Sequence, residues 1–326
     1  MPTISSTKLS KEKLRQLKSN TFEEWYGAAA QATVDTLGLE DIMKITQQYD
    51  KLSGHAIVIN LEAKNRFPYS YSDLLRVAIQ FFYIMPLSWS AKISNGFLTA
   101  NSFFAEVTQC KFQDAPIEFC EGCNTLGQAE AETINPAFIF NTDMGLKKGL
   151  GRCKLIVKKK GGNVESIEEA TVCILPVKVT EEEIDFWSIH ATTIYWGYFS
   201  TLLVDSVGEE KAKEIFGPYM EKAGVSVALK LKKELKIEET DARGIGAIID
   251  FLNDISSQNG WLAQFSQDVA AKTIDQCPFS TGSSIMCYQY EKICNGICKA
   301  INPEYSFKYE KMMTKGDSYC SWVIEK

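Results

Sequence analysis

Residues 109–153 read QCKFQDAPIEFCEGCNTLGQAEAETINPAFIFNTDMGLKKGLGRC, and residues 276–320 read QCPFSTGSSIMCYQYEKICNGICKAINPEYSFKYEKMMTKGDSYC. A shift of 167 residues superimposes the two stretches without a gap, and 11 of the 45 positions are identical. Composition alone would give about three. The identities are Gln109/Gln276, Cys110/Cys277, Phe112/Phe279, Cys120/Cys287, Ile134/Ile301, Asn135/Asn302, Pro136/Pro303, Phe140/Phe307, Lys148/Lys315, Gly149/Gly316 and Cys153/Cys320. Three are cysteines at one spacing, C-x9-C-x32-C. The chain is a tandem duplication.

The correspondence continues upstream at an offset of 170, through Gly27/Gly197, Val34/Val204, Asp35/Asp205, Gly38/Gly208, Glu40/Glu210 and Gly54/Gly224, with Trp25-Tyr26 facing Tyr195-Trp196. A module of about 135 residues is large enough to bury its own core. The expected organisation is an arm over 1–20, a first copy over 21–160, a linker over 161–182 and a second copy over 183–326.

Periodicity gives each module its elements. Ser10 opens a charged arm, and Thr21-Phe22-Glu23-Glu24 has the capping-box pattern of a helix that stops at Gly38. A second helix is expected from Glu40 to Gly54, and its counterpart ends at Ala223. HAIVINLEA fits helix or strand. Ser72-Asp73 starts a helix that ends near Pro86, and Asn95-Gly96 reads as the tight turn of a hairpin, as does Asn259-Gly260. A long helix then runs to Asn135-Pro136, and a second hairpin follows. TVCILPVKV in the linker is apolar enough for an extra strand, and Thr180 precedes three glutamates as the cap of the next helix. The fold class is α+β: two tandem copies of a helix-rich module with an antiparallel sheet, in the order helices, β-hairpin, long helix, β-hairpin, packed as a pseudo-dimer.

Composition narrows the function classes. The 326 residues are 45% hydrophobic and 23% charged, with net charge −6, so a nucleic-acid partner is disfavoured. Lys147, Lys148, Lys154, Lys158, Lys159 and Lys160 form a basic run that reads as a solvated hairpin face. The start carries no apolar signal core and no run is long enough to span a membrane, which points to the cytoplasm and reduced thiols. The expected partner is a small-molecule ligand, without nucleic acid or membrane, and self-association stays open. With only His55 and His190 in the chain, neither with a repeat partner, a histidine-based triad in each copy is excluded.

Ten cysteines stand out. Cys287, Cys294 and Cys298 fall within about 40° on one helix face, with Cys277 before that helix and Cys320 on the last strand. In the first copy Cys120 and Cys123 share a face, with Cys110 before and Cys153 after. Enough thiols are present for Zn²⁺ or an iron–sulfur cluster if they converge, for a reactive thiol, or for plain core packing. Cys173 has no repeat partner and reads as packing. Lys-Gly before each last strand reads as a turn, with Asp317 facing Leu150 across the repeat. The aromatics Trp25, Tyr26, Trp187, Tyr195, Trp196, Tyr198 and Phe199 read as core or as the wall of an apolar pocket, with His190 nearby.

The pattern CPF-x7-C followed by ICKAINPEYSFKYEKMMTKGDSYCSWVI resembles the L-2-amino-thiazoline-4-carboxylic acid hydrolase family, and more distantly the 4-vinyl reductase type of ligand-binding domain. Cys277, Pro278, Phe279, Cys287, Gly316, Asp317 and Cys320 carry the resemblance, as do Cys110, Phe112, Cys120, Gly149 and Cys153 in the first copy. Lys111 and Leu150 depart from it. The first family implies hydrolysis of a cyclic C–N bond in a small heterocycle. The second implies a small-molecule pocket, in some members with cysteine-bound zinc. For a hydrolase the expectation falls on the second copy, with Cys287 or Cys320 as thiolate or metal ligand and Asp317 relaying a proton. The alternative is a non-catalytic binding or redox-sensing protein with cysteine-bound metal. The metal-ligand candidates are Cys110, Cys120, Cys123, Cys153, Cys277, Cys287, Cys294, Cys298 and Cys320.

Overall fold

A computed structural model describes residues 9–40, 42–43, 47, 50–51, 54–55, 58–59, 72–88, 92–110, 118–162, 171–172, 196–280 and 282–326. Lys111, Phe112, Cys173, Trp187, His190, Tyr195 and the Thr180 cap lie outside them. The chain forms two compact units, Leu39–Ser188 and a second made of Met1–Gly38 together with Ile189–Lys326. The fold is α+β.

In the first unit the described positions between 39 and 59 are helical, including His55, Val58 and Ile59 of HAIVINLEA. Helix α2 (Asp73–Ser88) follows, then β1 (Lys92–Leu98), β2 (Ser102–Gln109), α3 (Glu118–Ile134), β3 (Phe138–Thr142), β4 (Cys153–Lys159) and the short β5 (Thr171–Val172). The second unit holds α1 (Lys11–Leu37), α4 (196–207), α5 (Glu209–Glu234), α6 (Ala242–Ile255), β6 (Asn259–Phe265), β7 (Ala270–Gln276), α7 (Ser284–Ile301), β8 (Ser306–Lys311) and β9 (Cys320–Glu325).

The two sheets are consistent with a duplication. Their strand orders are β3-β4-β2-β1-β5 and β8-β9-β7-β6, so the second repeats the first without β5. Registers repeat residue for residue: Val107 faces Cys153 as Ile274 faces Cys320, and Phe140 faces Val157 as Phe307 faces Ile324. One polar clamp recurs between helix and sheet. The Gln128 amide donates to the Phe138 carbonyl and accepts from the Phe140 N–H, while the Asn295 amide donates to the Phe307 carbonyl and accepts from the Phe307 N–H. At each helix end Asn135 and Asn302 accept from the N–H two residues on, setting the same turn into the next strand.

Several boundaries differ from the sequence reading. Ser10 caps a single helix, α1, that runs unbroken past Thr21, itself buried within it. Although the repeat assigns α1 to the first copy, it packs in the second unit, where Trp25 meets Trp196 and Tyr290 at centroid distances of 5.6 and 5.4 Å. Asn95-Gly96 lies inside β1 beside a bulge, and the chain reverses at Thr99–Ser102, where the Thr99 hydroxyl receives the Asn101 and Ser102 N–H groups. Asn259-Gly260 likewise opens β6. Helix α5 passes through Ala223 and Gly224 to Glu234. Pro86 sits within α2. The Thr171-Val172 part of the linker does form a strand, on the edge of β1.

The core of the first unit stacks Phe81 on Phe140 at 5.1 Å, with Val77, Phe103, Leu126 and Val157 around it. Two acids are buried on its helices. Burial pushes the Glu130 carboxyl up to about 8 and pushes Asp50 up to about 7. Glu130 Oε1 and both amide atoms of Gln80 have no hydrogen-bond partner among the described residues. Raised folded-state values mean the native protein holds protons that the unfolded chain has released. Stability from these groups therefore falls as pH rises from about 4 to about 8 and is level above that. Urea denaturation at pH 5, 6.5 and 8 should show this decline, and Glu130→Gln should flatten its upper part and gain about 2–4 kcal/mol at pH 8. An unchanged slope in the variant would show that Glu130 ionises freely.

Candidate functional site

Each sheet ends in a thiol cluster assembled from three elements. In the first unit Cys110 follows β2, Cys120 lies in the first turn of α3 and Cys153 begins β4. In the second unit Cys277 follows β7, Cys287 lies in the first turn of α7 and Cys320 begins β9. The identical registers of Cys153 and Cys320 place the clusters at corresponding corners of the two modules.

The thiols sense one another. Burial pushes Cys120 up, the neighbouring Cys153 and Cys110 add to this, and Lys147 pulls it down. Burial raises Cys123 well above its usual range, reinforced by Cys110, Cys120, Glu130 and Cys153. In the second unit burial pushes Cys277 up to about 12, with Cys320 and Cys287 contributing and the Phe279 and Ser280 N–H groups opposing. Cys287 is raised by burial, lowered by the Thr314 hydroxyl at 3.2 Å, and raised again by Cys320. In both copies the repeat-paired cysteines lie within electrostatic range of one another.

The third thiol of each cluster makes the same bond. Cys153 Sγ accepts from the Leu146 N–H at 3.3 Å and Cys320 Sγ from the Met313 N–H at 3.2 Å. The turn between these partners needs the positive φ of Gly149 (74°) and Gly316 (95°), as the repeated Lys-Gly suggested. Burial still dominates at both sulfurs and holds them above the usual thiol range. Asp317 is exposed, and its carboxylate accepts the Met312 N–H at 2.8 Å, closing the turn. Cys294 and Cys298 lie deeper in the core, both almost without exposure and raised chiefly by burial, with Cys298 at about 12. The helical stripe therefore splits, with Cys287 joining the cluster and the other two packing inward.

Among the described residues no three His, Cys, Asp or Glu side chains stand together so as to hold a metal ion. As placed, these thiols are not grouped closely enough for a resident Zn²⁺ or iron–sulfur cluster, whose thiolate ligands stand at bonding distance. The other sequence candidates resolve as structure. Trp25, Trp196 and Phe199 are core, His55 bonds the Thr133 hydroxyl, and Lys148 and Lys160 bond nearby carbonyls.

Sequence reasoning missed a slot of about 640 Å³ between α1 and α5 in the second unit. Gly27 and Ala223 are small residues on its walls. Glu24 reaches Ser226 and Lys230 across it, and Tyr219 reaches Asp35. No spacing in the chain announces it, because its walls come from helices about 190 residues apart in sequence. Among the described residues no helix is long and apolar enough to cross a membrane. No family model, curated protein or solved structure matches this chain.

Proposed function

We propose that this is a non-catalytic, thiol-based redox-responsive binding protein, in which each module carries one sensing cluster. The observation that supports the reading is the twofold convergence of the repeat-paired cysteines, most of them half-buried and within electrostatic reach of one another. Cysteines kept only for packing would be expected inside the core, where Cys294 and Cys298 are. Reduced and protonated at rest, the cluster is quiet in a reducing cytoplasm. A peroxide would convert one thiol to a sulfenic acid, the thiol proton and one peroxide hydroxyl leaving as water. A neighbouring thiol would then displace a second water, leaving a disulfide and two electrons fewer on the protein.

The hydrolase reading of the resemblance has less support from the geometry. A hydrolase needs a base beside its nucleophile, and Asp317, the carboxylate expected to relay the proton, is engaged with the Met312 N–H instead. The test treats the reduced full-length chain with hydrogen peroxide and maps disulfides by mass spectrometry. Bridges are expected within the set Cys110, Cys120, Cys153 and within the set Cys277, Cys287, Cys320, reversible by dithiothreitol. Absence of such bridges, or ring opening of an amino-thiazoline carboxylate to a carbamoyl product that Cys287→Ser abolishes, would overturn the reading.

A further inference from the structure

The two sheets are twins in every strand but one. In the first unit the edge strand β1 is covered by β5, which pairs antiparallel with it at Phe97↔Val172 and Leu98↔Thr171. The positions that repeat Phe97 and Leu98 are Gln264 and Phe265 on β6, and among the described residues β6 is an uncovered edge of its four-stranded sheet. All seven residues of β6 are exposed, among them Trp261 at 54%, Leu262 at 36% and Phe265 at 38%.

An uncovered edge offers a row of unpaired N–H and C=O groups, and soluble proteins usually guard such edges with charge, proline or a covering segment. The sequence of β6, NGWLAQF, contains no charge and no proline. Its ladder to β7 has two register shifts, between Asn259 and Gly260 and between Leu262 and Gln264, and the Gly260–Leu262 run between them is in unbroken register. By contrast β1 carries Lys92 and is covered.

We propose that β6 is an interaction strand, and that its partner is β6 of a second copy of this chain, paired antiparallel about a twofold axis beside Trp261 and Leu262. The antiparallel sense is the one β5 adopts on the twin edge. Self-pairing suits a strand without charge, because a twofold axis brings like residues close and would set any charge against its own copy. It would cover the exposed tryptophan, leucine and phenylalanine together, which accounts for three of the large apolar side chains this surface leaves in water. The joined edges would make one continuous eight-stranded sheet from two four-stranded ones.

Analytical ultracentrifugation of the full chain over a concentration series tests this, with tryptophan emission followed in parallel. The expected result is a concentration-dependent dimer whose emission shifts to the blue as it forms. The Trp261→Lys/Leu262→Lys double variant should stay monomeric with an unchanged circular dichroism spectrum and melting temperature. Cysteines placed singly at positions 260–264 should give a disulfide-linked dimer on oxidation at the position nearest the axis, in a background of Cys→Ser at the half-buried native thiols. A wild-type chain that is monomeric throughout, or a dimer that persists in the lysine variant, would overturn the proposal.

Discussion

Lys272→Met should cost about 3–5 kcal/mol of stability. Lys272 on β7 is 3% exposed and its ammonium stands 2.6 Å from the carboxylate of Asp250 on α6, itself 5% exposed. Asp254 lies farther off at 3.9 Å. Burial pushes the Asp250 carboxyl above its usual range even though Lys272 pulls it down, so the ion pair only partly offsets the desolvation of its members. Methionine keeps the length and packing of the lysine stem and removes only the charge. What remains is an uncompensated buried carboxylate, which relieves itself by taking a proton, so the loss should be larger at pH 8 than at pH 5. The double variant Lys272→Met/Asp250→Leu should recover most of the loss, since a buried pair replaced by apolar groups is often neutral. Ala105 stands at the position of Lys272 in the twin strand and is fully buried, so the module folds without this charge. Urea denaturation of the three proteins decides the matter. A single-variant loss under about 1 kcal/mol would mean that water reaches the pair.

How far the sequence led can be judged from particular residues. The repeat carried the strand order and the registers, because identical spacings such as Phe140/Phe307 and Cys153/Cys320 hold only if the same residues face the same partners in both sheets. Local signals did less well where tertiary contacts outweighed them. Asn-Gly favours a tight turn, yet both Asn95-Gly96 and Asn259-Gly260 lie in strands, where ladder bonds to β2 and β7 hold the backbone extended. Gly260 is also needed there for space, since a Cβ would sit 1.9 Å from the Thr273 carbonyl oxygen. Thr21 has the residues of a capping box but is buried against the core of the second unit, and Ser10 supplies the cap instead.

The thiols divide along the same line. Their pairing across the copies was visible, and convergence at the turn followed from it. Whether a given sulfur is half-buried or fully buried was not visible, because a helix face tells direction and not depth. Cys287 and Cys294 share a face, yet the first reaches Thr314 at the turn and the second lies beside Tyr290. The placement of α1 was equally hidden. Helix-to-unit assignment depends on which surface an apolar face covers, and nothing local to Trp25 specifies that its neighbours are Trp196 and Tyr290.

Gly224→Ala should cost about 2–4 kcal/mol, although alanine is the better helix former by about 1 kcal/mol. Sequence reading takes the repeated Gly54 and Gly224 as helix ends, but Gly224 lies inside α5 where that helix crosses α7. A Cβ on Gly224 would stand 2.0 Å from the Ile293 carbonyl oxygen, and one on Gly296 would stand 2.1 Å from the Glu221 carbonyl oxygen. Each helix thus presents a glycine to the backbone of the other. The obstacle is backbone and cannot rotate aside, so relief requires moving two packed helices apart by on the order of 1 Å and losing contacts along the whole crossing. That loss outweighs the propensity gain. The first unit supplies the control. Gly54 meets the repeat-equivalent carbonyl, that of Leu126, and the Ala129 Cβ, both at 2.8 Å. Its crossing is looser, because Ala129 stands where the second copy has Gly296. Gly54→Ala should therefore cost about half as much, nearer 1–2 kcal/mol. Denaturation midpoints for the two single variants test the ranking. If Gly224→Ala is neutral or stabilising, the α5–α7 crossing is wider than 2.0 Å implies, and the repeated glycine marks ancestry without a present constraint.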